Sequence, residues 1–411
     1  MRVIVWGINY APEITGIAPH NVSLCEYLHG GGHDVEMVTT FAYYPAWRKS
    51  PEDRNTLYRT DCINGVPVHR CWHFVPARVT PLKRIVHEAT FAIGSILRIL
   101  SLKAPDLYVV ASPPLILGTA AWLVSLLKRA PFIFHVQDLQ PDAAVGLGML
   151  REGWFTRALY GLEAFAYKHA LRVSSISPEI LDAFRRKHVP EEKLILYPNS
   201  VELPDESSMP GSGAFRRKHG FRSDEFLAVY AGNLGVKQGL EILLDAAESL
   251  RTESNIRIVL CGDGAERVAL EENARRRQLQ NVSMLPLQRG LDYEELLVDA
   301  DVSFITQQSG SGNAFFPSKL LATLAHLSPV VTVADEGSAL ARAVAGGSFG
   351  MNVSPGQPAE LARVLAEIAR DPQKRRAWGR SGRAYVEQFE RSRVLEKFTT
   401  QLKSLVHQDS Q

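Results

Sequence analysis

Short runs of β-branched and aromatic residues alternate along the chain with longer stretches whose apolar residues recur at helical spacing. The first half begins with VIVWG and continues through DVEMVTT, DLYVVAS and FIFHVQ. We therefore predict strands at residues 3–7, 34–40, 106–112 and 132–137, helices at 17–30, 81–102, 114–128 and 152–169, and a hairpin turn at Asn64-Gly65. Because this alternation is typical of parallel sheets covered by helices on both faces, the fold class is α/β.

The alternation stops at VELPDESSMPGSG (201–213), which is rich in Pro, Ser, Gly and acids and has no periodic apolar pattern. It then restarts with the runs FLAVYAGN, IRIVLCGDG, VSMLPL, DVSFIT and PVVTVAD. We interpret the break as a linker between two doubly wound domains, residues 1–200 and 214–386, with a cleft between them. In such sheets ligands bind at the carboxyl ends of the strands, so the loops at those ends supply the candidate site residues.

Composition and charge narrow the class of protein. The 411 residues are 45% hydrophobic and 22% charged, which is enough apolar material for two cores, and the net charge of +2 argues against a nucleic-acid binder. The four cysteines show neither metal-ligand spacing nor a dense disulfide pattern, so we expect a reducing compartment. No secretory signal is expected at MRVIVWGINYAPE, and the longest apolar run, Leu115 to Leu127, is too short to span a bilayer. We expect a cytoplasmic protein, at most peripheral to a membrane.

Two loops of the first domain contain candidate site residues. Gly16 follows the first strand, where a glycine serves either a turn or the close approach of a ligand to the backbone before a helix N-terminus. His135 and Asp138 lie in FHVQDLQPD, at the end of a strand. Facing a cleft, they could orient sugar hydroxyls or stabilise developing charge; the alternative is a core histidine and a capping carboxylate.

The second domain contains a candidate anion site. Its first strand is followed by Asn233, Lys237 and Gln238 among glycines, which is typical of a phosphate-binding loop. In GSGNAFFPSKLLATLA, Ser318 and Lys319 follow Pro317 at the start of a helix. The helix dipole disfavours a cation there unless an anion lies beside it. CGDGAER places Arg267 at the third position of a dinucleotide fingerprint, which argues against an NAD(P) enzyme.

Residues 70–103 carry six Lys or Arg and one acid, Glu88. Arg78, Lys83 and Arg84 precede the apolar stretch IVHEATFAIGSILRIL. This segment either lies on an anionic membrane surface or forms an ordinary packing helix, and the pattern alone leaves both open.

Taken in order, the motifs NYAPEITGIAPH, HVQDLQPD, YPNSVE, YAGNLGVKQGLE, LCGDG, NVSMLPL and PSKLLATLA resemble the GT-B glycosyltransferases. More narrowly, the chain resembles family 4, in the branch that builds O-antigen, colanic acid and similar exopolysaccharides. The resemblance covers nearly the whole chain.

The resemblance implies a retaining hexosyltransferase that needs no metal or other cofactor and uses a nucleotide-diphosphate sugar, with UDP favoured over GDP. By position, the diphosphate would be held by Gly16, Asn233, Lys237, Gln238, Ser318 and Lys319, the sugar would face His135 and Asp138, and the base would meet Leu287 and Gln288. The acceptor would be a polyprenyl-diphosphate-linked saccharide, with Arg78, Lys83 and Arg84 towards the membrane. The last helix, about 387–411, would cross back to the first domain.

The chain departs from the wider family at four positions. Asn233 and Gln238 stand where the earlier loop of that family commonly has Arg and Lys. Two glutamates of that family, one near the sugar and one on the ribose, correspond to Ala314 and Ala322. Two alternatives therefore accompany the transferase: a GT-B-like nucleotide-sugar epimerase, which would release its product without an acceptor, and a catalytically silent nucleotide-binding partner of a membrane assembly enzyme.

Overall fold

The structure is a computed structural model that describes residues 1–14, 16–44, 46–78, 80–146, 148, 150, 153–310 and 318–408. Ala314 and Pro317, on which two of the sequence interpretations depend, lie outside the described residues. The chain divides into two compact units: Met1–Asn199 with the residues from Ser392 onward, and Ser200–Arg391.

The first unit is built on an eight-stranded sheet with helices between its strands. Its strands are β1 Arg2–Trp6, β2 Asp34–Thr40, β3 Tyr58–Ile63, β4 Val66–Cys71, β5 Leu107–Ser112, β6 Phe132–Val136, β7 Arg172–Ser175 and β8 Leu194–Leu196. Its helices are α1 Ala18–Gly30, α2 Pro81–Ser101, α3 Ile116–Lys128, α4 Gln140–Gly146, α5 Trp154–His169 and α6 Pro178–Arg186. The strand order is β3-β4-β2-β1-β5-β6-β7-β8, and β3 alone pairs antiparallel within this sheet.

The hairpin of β3 and β4 turns at Asn64 and Gly65, as predicted. Both residues have positive φ, 51° and 84°, which is the conformation a two-residue hairpin turn of the primed type requires. The central strand β5 is buried along its whole length, which is usual for a parallel strand covered on both faces.

The second unit is built on a six-stranded parallel sheet. Its strands are β9 Phe226–Asn233, β10 Ile256–Asp263, β11 Val282–Leu285, β12 Val302–Thr306, β13 Val330–Val333 and β14 Gly350–Val353. Its helices are α7 Ala214–His219, α8 Glu241–Ser249, α9 Arg267–Arg276, α10 Leu291–Asp299, α11 Lys319–Ala325, α12 Ala339–Gly347, α13 Pro358–Ala369 and α14 Pro372–Val386. The order β11-β10-β9-β12-β13-β14 is that of a dinucleotide-fold sheet, so the α/β class is confirmed.

The last helix, α15 (Arg391–Gln408), packs in the core of the first unit. Leu395, Phe398 and Leu402 are buried there together with Leu24 and Leu28 of α1. The ring of Phe398 stacks on Tyr197, with the two centroids 3.8 Å apart. The end of the chain is therefore an integral part of the first unit.

Candidate active site

The second sheet reverses its strand order between β9 and β12. The chain leaves β9 towards β10 on one side and later returns to β12 on the other, so the carboxyl ends of these neighbouring strands form the point where ligands of such sheets bind. Asn233 ends β9, and Lys237 and Gln238 lie in the short turn that follows. The two loops are joined because the backbone N–H of Gln308 donates to the carbonyl of Lys237 over 2.8 Å.

Lys319 reaches back from the first residue of α11 to the end of β9. Its Nζ lies 3.5 Å from the centroid of the Tyr230 ring. Part of the Lys319 side chain is exposed, but the Nζ atom is buried and has no hydrogen-bond partner among the described residues. Burial holds the pKa of this amine well below the usual value for lysine. An anion bound beside this amine would pair with it and favour its protonated form.

Tyr230 connects this amine to the loop after β9. Its ring is buried, and its hydroxyl donates to the carbonyl of Asn233 over 2.7 Å. Burial raises the pKa of Tyr230, so the phenol remains a neutral donor. The sequence interpretation did not include this residue. The signal for it was an aromatic residue three positions before Asn233 in YAGN.

The glycines of CGDG serve close packing at the end of β10. A Cβ on Gly262 would lie 1.9 Å from the carbonyl oxygen of Gly232. One on Gly264 would lie 2.4 Å from the carbonyl oxygen of Leu234, at a φ of +154°. These glycines let β10 approach the loop after β9. Close packing of the backbone therefore explains the G-x-G pattern, and no bound dinucleotide is needed to explain it.

The remaining predicted residues of this unit lie at the same edge of the sheet or near it. Ser318 is exposed and precedes α11, and its hydroxyl caps no backbone N–H of that helix. Leu287 and Gln288 follow β11, the edge strand, and the Gln288 amide donates to the carbonyl of Pro286 over 2.8 Å. Ala322 is partly buried against the cluster that contains Val229 and Cys261. The role of Leu287 and Gln288 towards a base stays a prediction.

In the first unit, Gly16 lies in the loop between β1 and α1. It is exposed and has a φ of +66°, in the region that favours glycine. The loop is braced by Glu13, whose Oε1 accepts from the backbone N–H groups of Tyr43 and Tyr44 over 2.8 and 2.7 Å. Burial raises the pKa of Glu13, while those hydrogen bonds act in the opposite direction. Glu13 is a further site-forming residue that the sequence interpretation left out.

His135 lies on β6 and is buried. Its Nδ1 is 3.0 Å from the Ser174 hydroxyl, and its Nε2 is 2.9 Å from the Gln137 amide nitrogen, which also donates to Asn199 over 3.0 Å. Burial lowers the pKa of His135 to about 3, and the nearby His20 contributes in the same direction. The imidazole is therefore neutral at physiological pH, and of the two expectations for it, that of a satisfied core histidine describes its surroundings.

Asp138 lies in the loop after β6 and is partly buried. Burial acts to lower the pKa of Arg84, but Glu88, which accepts from Arg84 over 3.0 Å, raises it, and the charge of Asp138 adds a smaller effect in the same direction. Half of the Arg84 side chain remains exposed. Arg84, which the sequence places towards a membrane, and Asp138, which it places towards the sugar, are thus close enough to interact electrostatically.

Comparisons with known proteins identify both halves of the chain. Residues 15–200 match the model of the glycosyl transferase 4-like domain, and residues 212–385 match that of the glycosyl transferases group 1. A relative, WcaI of Escherichia coli (strain K12), is named for colanic acid biosynthesis. It is 31% identical over 332 residues, which cover 79% of this chain and 81% of WcaI.

Two solved structures share the fold over almost their whole length. Sucrose-phosphate synthase from Thermosynechococcus elongatus has a TM-score of 0.77 at 17% identity, covering 98% of both chains. HepE from Anabaena, in complex with UDP-glucose, has a TM-score of 0.72 at 16% identity, covering 98% of this chain and 100% of HepE.

Proposed function

The chain belongs to the GT-B glycosyltransferases of family 4, in the branch that serves exopolysaccharide synthesis, and from this membership we propose a retaining transfer of a sugar from a UDP-sugar to a polyprenyl-diphosphate-linked saccharide. The transfer requires no metal. The observation that carries the proposal is the buried Nζ of Lys319, at the carboxyl ends of β9 and β12, with no hydrogen-bond partner among the described residues.

The diphosphate of the donor binds beside Lys319. The buried amine has no hydrogen-bond partner among the described residues, so a bound anion supplies the missing partner, and its attraction for the protonated form offsets the cost of charging a buried group. Lys237, Asn233 and Gln238 follow β9 at the same edge and supply further donors. Ser318, whose hydroxyl caps no helix N–H, offers one more. Positive charge on Lys319 and Lys237 takes the place that a metal ion occupies in other diphosphate sites.

The chemical step needs a stabilised leaving group more than a covalent partner. The bond between C1 of the sugar and the diphosphate oxygen breaks while the acceptor hydroxyl attacks C1 from the same side, which retains the configuration. The hydroxyl proton passes to the departing phosphate oxygen. Lys319 stabilises the charge that develops there, in surroundings with little water to screen it.

The first unit supplies the groups that the resemblance assigns to the sugar and the acceptor. His135 is neutral and buried, with both ring nitrogens in contact with Ser174 and Gln137, so in this proposal it positions the end of β6 before Asp138 and does not serve as a cation. Asp138 and Gly16 keep the roles predicted for them, towards the sugar and the diphosphate.

Two of the comparisons support the finer assignments. HepE was solved with UDP-glucose, which favours a uridine nucleotide here. WcaI is named for colanic acid biosynthesis, a polysaccharide pathway, which favours a saccharide acceptor on a lipid carrier.

The test is transfer by the purified full chain from radiolabelled UDP-sugars to a polyprenyl-diphosphate saccharide in the presence of EDTA. We expect a product whose anomeric configuration, determined by NMR, matches that of the donor. Release of an altered sugar without an acceptor would instead identify an epimerase. Donor binding without any turnover would identify a silent partner.

A further inference from the structure

Arg267 stands where a dinucleotide-binding fold has its third glycine, and the proposed function gives it no role. It is the first residue of α9, and its side chain reaches the carboxyl ends of two strands. The Nη1 atom donates to the carbonyl oxygen of Gly262 in β10 and, over 3.0 Å, to that of Leu285, the last residue of β11. One guanidinium nitrogen thus joins the ends of β10 and β11.

These bonds lie where the ladder between the two strands stops. The register ends at the pair Cys261 and Leu285. One step further, a parallel ladder would bring the N–H of Leu287 to the carbonyl oxygen of Gly262, because its bonds recur at every second residue. Arg267 donates to that oxygen instead, and the N–H of Leu287 has no backbone acceptor among the described residues. Arg267 therefore ends the ladder and still holds the two strands together.

Arg267 is itself held by the loop after β9. The N–H of Glu266 donates to the carbonyl oxygen of Leu234 over 2.9 Å, and the N–H of Arg267 donates to that of Gly264 over 3.2 Å. Leu234 follows Asn233, which the proposed function places at the diphosphate. The loop after β9 and the end of β11 are therefore connected through the start of α9.

The loop after β11 is closed from within. The side-chain amide of Gln288 donates to the carbonyl oxygen of Pro286 over 2.8 Å, and Leu287 between them is partly buried. A loop that is folded on itself in this way moves together with the end of the strand from which it begins. Its position is therefore set at Leu285, the residue that Arg267 binds.

The charge of Arg267 is already paired. Its Nη2 lies 2.8 Å from Oε1 of Glu271, one turn further along α9, and its side chain is 24% exposed. Lys319 differs, because its buried Nζ has no hydrogen-bond partner among the described residues. A paired guanidinium attracts a further anion less than an unpaired cation does. The contacts of Arg267 are therefore those of a residue that holds the backbone, and they do not suit a phosphate ligand.

We propose that Arg267 is a positioning residue for the base of the donor nucleotide. It fixes the loop of Leu287 and Gln288 against β10, and it occupies the carbonyl oxygen of Gly262, so that the N–H of Leu287 remains available to an oxygen of the base. A fixed loop fits a base of one size, so this attachment contributes to the choice between uracil and guanine. The proposal rests on the proposed function, in which Leu287 and Gln288 meet the base.

The test is calorimetric titration of the full chain with UDP and with GDP, in the wild type and in Arg267→Met. Methionine keeps part of the aliphatic stem but can donate to neither carbonyl oxygen. We expect the nucleotide that the wild type prefers to bind about tenfold more weakly and the other to change little, so that the preference shrinks. Hydrogen–deuterium exchange at residues 287–290 should become faster in the variant. Arg267→Lys, the milder variant, should shift the preference in the same direction.

The matched control is Arg257→Met, at the opposite end of the same two strands. Arg257 donates to the carbonyl oxygen of Gln280, just before β11, and its Nε lies 2.7 Å from Oε1 of Glu225. Its side chain is 31% exposed, similar to that of Arg267. We expect both variants to lose stability in urea titrations, whereas the base preference should change in Arg267→Met alone.

Four results would overturn the proposal. The base preference could be unchanged in a folded Arg267→Met or Arg267→Lys protein, or it could shrink equally in Arg257→Met, which would reduce the effect to the stability of the sheet. UDP and GDP could lose affinity by the same factor, which would place Arg267 at the diphosphate. The wild type could bind both nucleotides equally, which would remove the preference that Arg267 is proposed to support. Binding of neither nucleotide by the wild type would instead contradict the proposed function, and the role of Arg267 with it.

Discussion

Lys319 Nζ lies 3.5 Å from the centroid of the Tyr230 ring, so the start of α11 contacts β9, the first strand of the second sheet along the chain. A cation over a tyrosine face is attractive, yet the pKa of this amine is depressed, which means that burial outweighs the attraction. The folded protein thus holds a lysine in a state that disfavours its charge. We attribute this to donor binding, and the next two predictions test that attribution.

Replacing Lys319 by Met should stabilise the protein. The substitution keeps most of the aliphatic stem and removes a buried amine that has no hydrogen-bond partner among the described residues. We expect the free energy of unfolding at neutral pH to rise by about 1–3 kcal/mol in urea titrations. Lys218→Met is the control, since Lys218 is exposed and paired with Asp292 over 2.5 Å, and it should not gain stability. A Lys319→Met protein less stable than the wild type would show that the amine has a structural role.

Donor binding should take up a proton at Lys319. In the unfolded chain Lys319 is protonated below pH 10.5. In the folded protein its pKa is depressed, so the amine loses its proton at a lower pH. A bound diphosphate raises that pKa again, so at about pH 9 binding draws a proton from the buffer. Calorimetry with UDP in two buffers of different ionisation enthalpy should give different apparent enthalpies. Lys319→Met should show the same enthalpy in both, and a wild type that also does so would contradict the argument.

Gly16→Ala should damage activity more than stability. The residue has a φ of +66°, and an added Cβ would meet only Tyr44, at an ordinary 3.7 Å. We expect a loss of about 1 kcal/mol from the left-handed conformation. Gly32→Ala is the matched control, because Gly32 has a similar φ of +75° and an added Cβ would meet nothing within 4 Å. If a diphosphate approaches Gly16, kcat/KM should fall about tenfold or more in Gly16→Ala alone. Equal activity in the two variants would leave Gly16 a turn residue.

His135 should contribute stability that is lost in acid. Its pKa is about 3 in the folded protein and 6.5 when unfolded, so both states are neutral above 6.5. As the pH falls below 6.5, His135 becomes protonated in the unfolded state before it does so in the folded state. Its contribution to the free energy of unfolding therefore declines. The difference in unfolding free energy between wild type and His135→Gln should therefore shrink by about 2 kcal/mol between pH 6.5 and pH 5. A difference independent of pH would mean that His135 has the same pKa in the folded and unfolded states, which would contradict the effect of burial.

Much of the architecture follows from local pattern. The run DVEMVTT forms β2 over the seven residues predicted, and the helix predicted at 81–102 is α2, Pro81–Ser101. Strand β14 was missed, because Gly350–Val353 is short and only partly buried. VSMLPL ends as a strand at Leu285, since Pro286 has no N–H for a further ladder bond.

The site was harder to predict, because its geometry depends on contacts that are distant in sequence. Lys319 was predicted from its place at a helix start, but its contact with Tyr230 requires the neighbouring positions of β9 and β12. His135 could face solvent or core, and only the packing against Ser174 decided between them. In IVHEATFAIGSILRIL the apolar residues surround the helix, so the sequence could not tell which stripe would be left exposed.

The central claim is a metal-free diphosphate site at Lys319, and calorimetric titration of the full chain with UDP and GDP in EDTA tests it most directly. The account predicts that UDP binds the wild type more tightly than GDP does, and that Lys319→Met binds UDP about 10- to 100-fold more weakly while remaining folded. Binding of neither nucleotide to the wild type, or equal UDP affinity in a folded Lys319→Met protein, would contradict it.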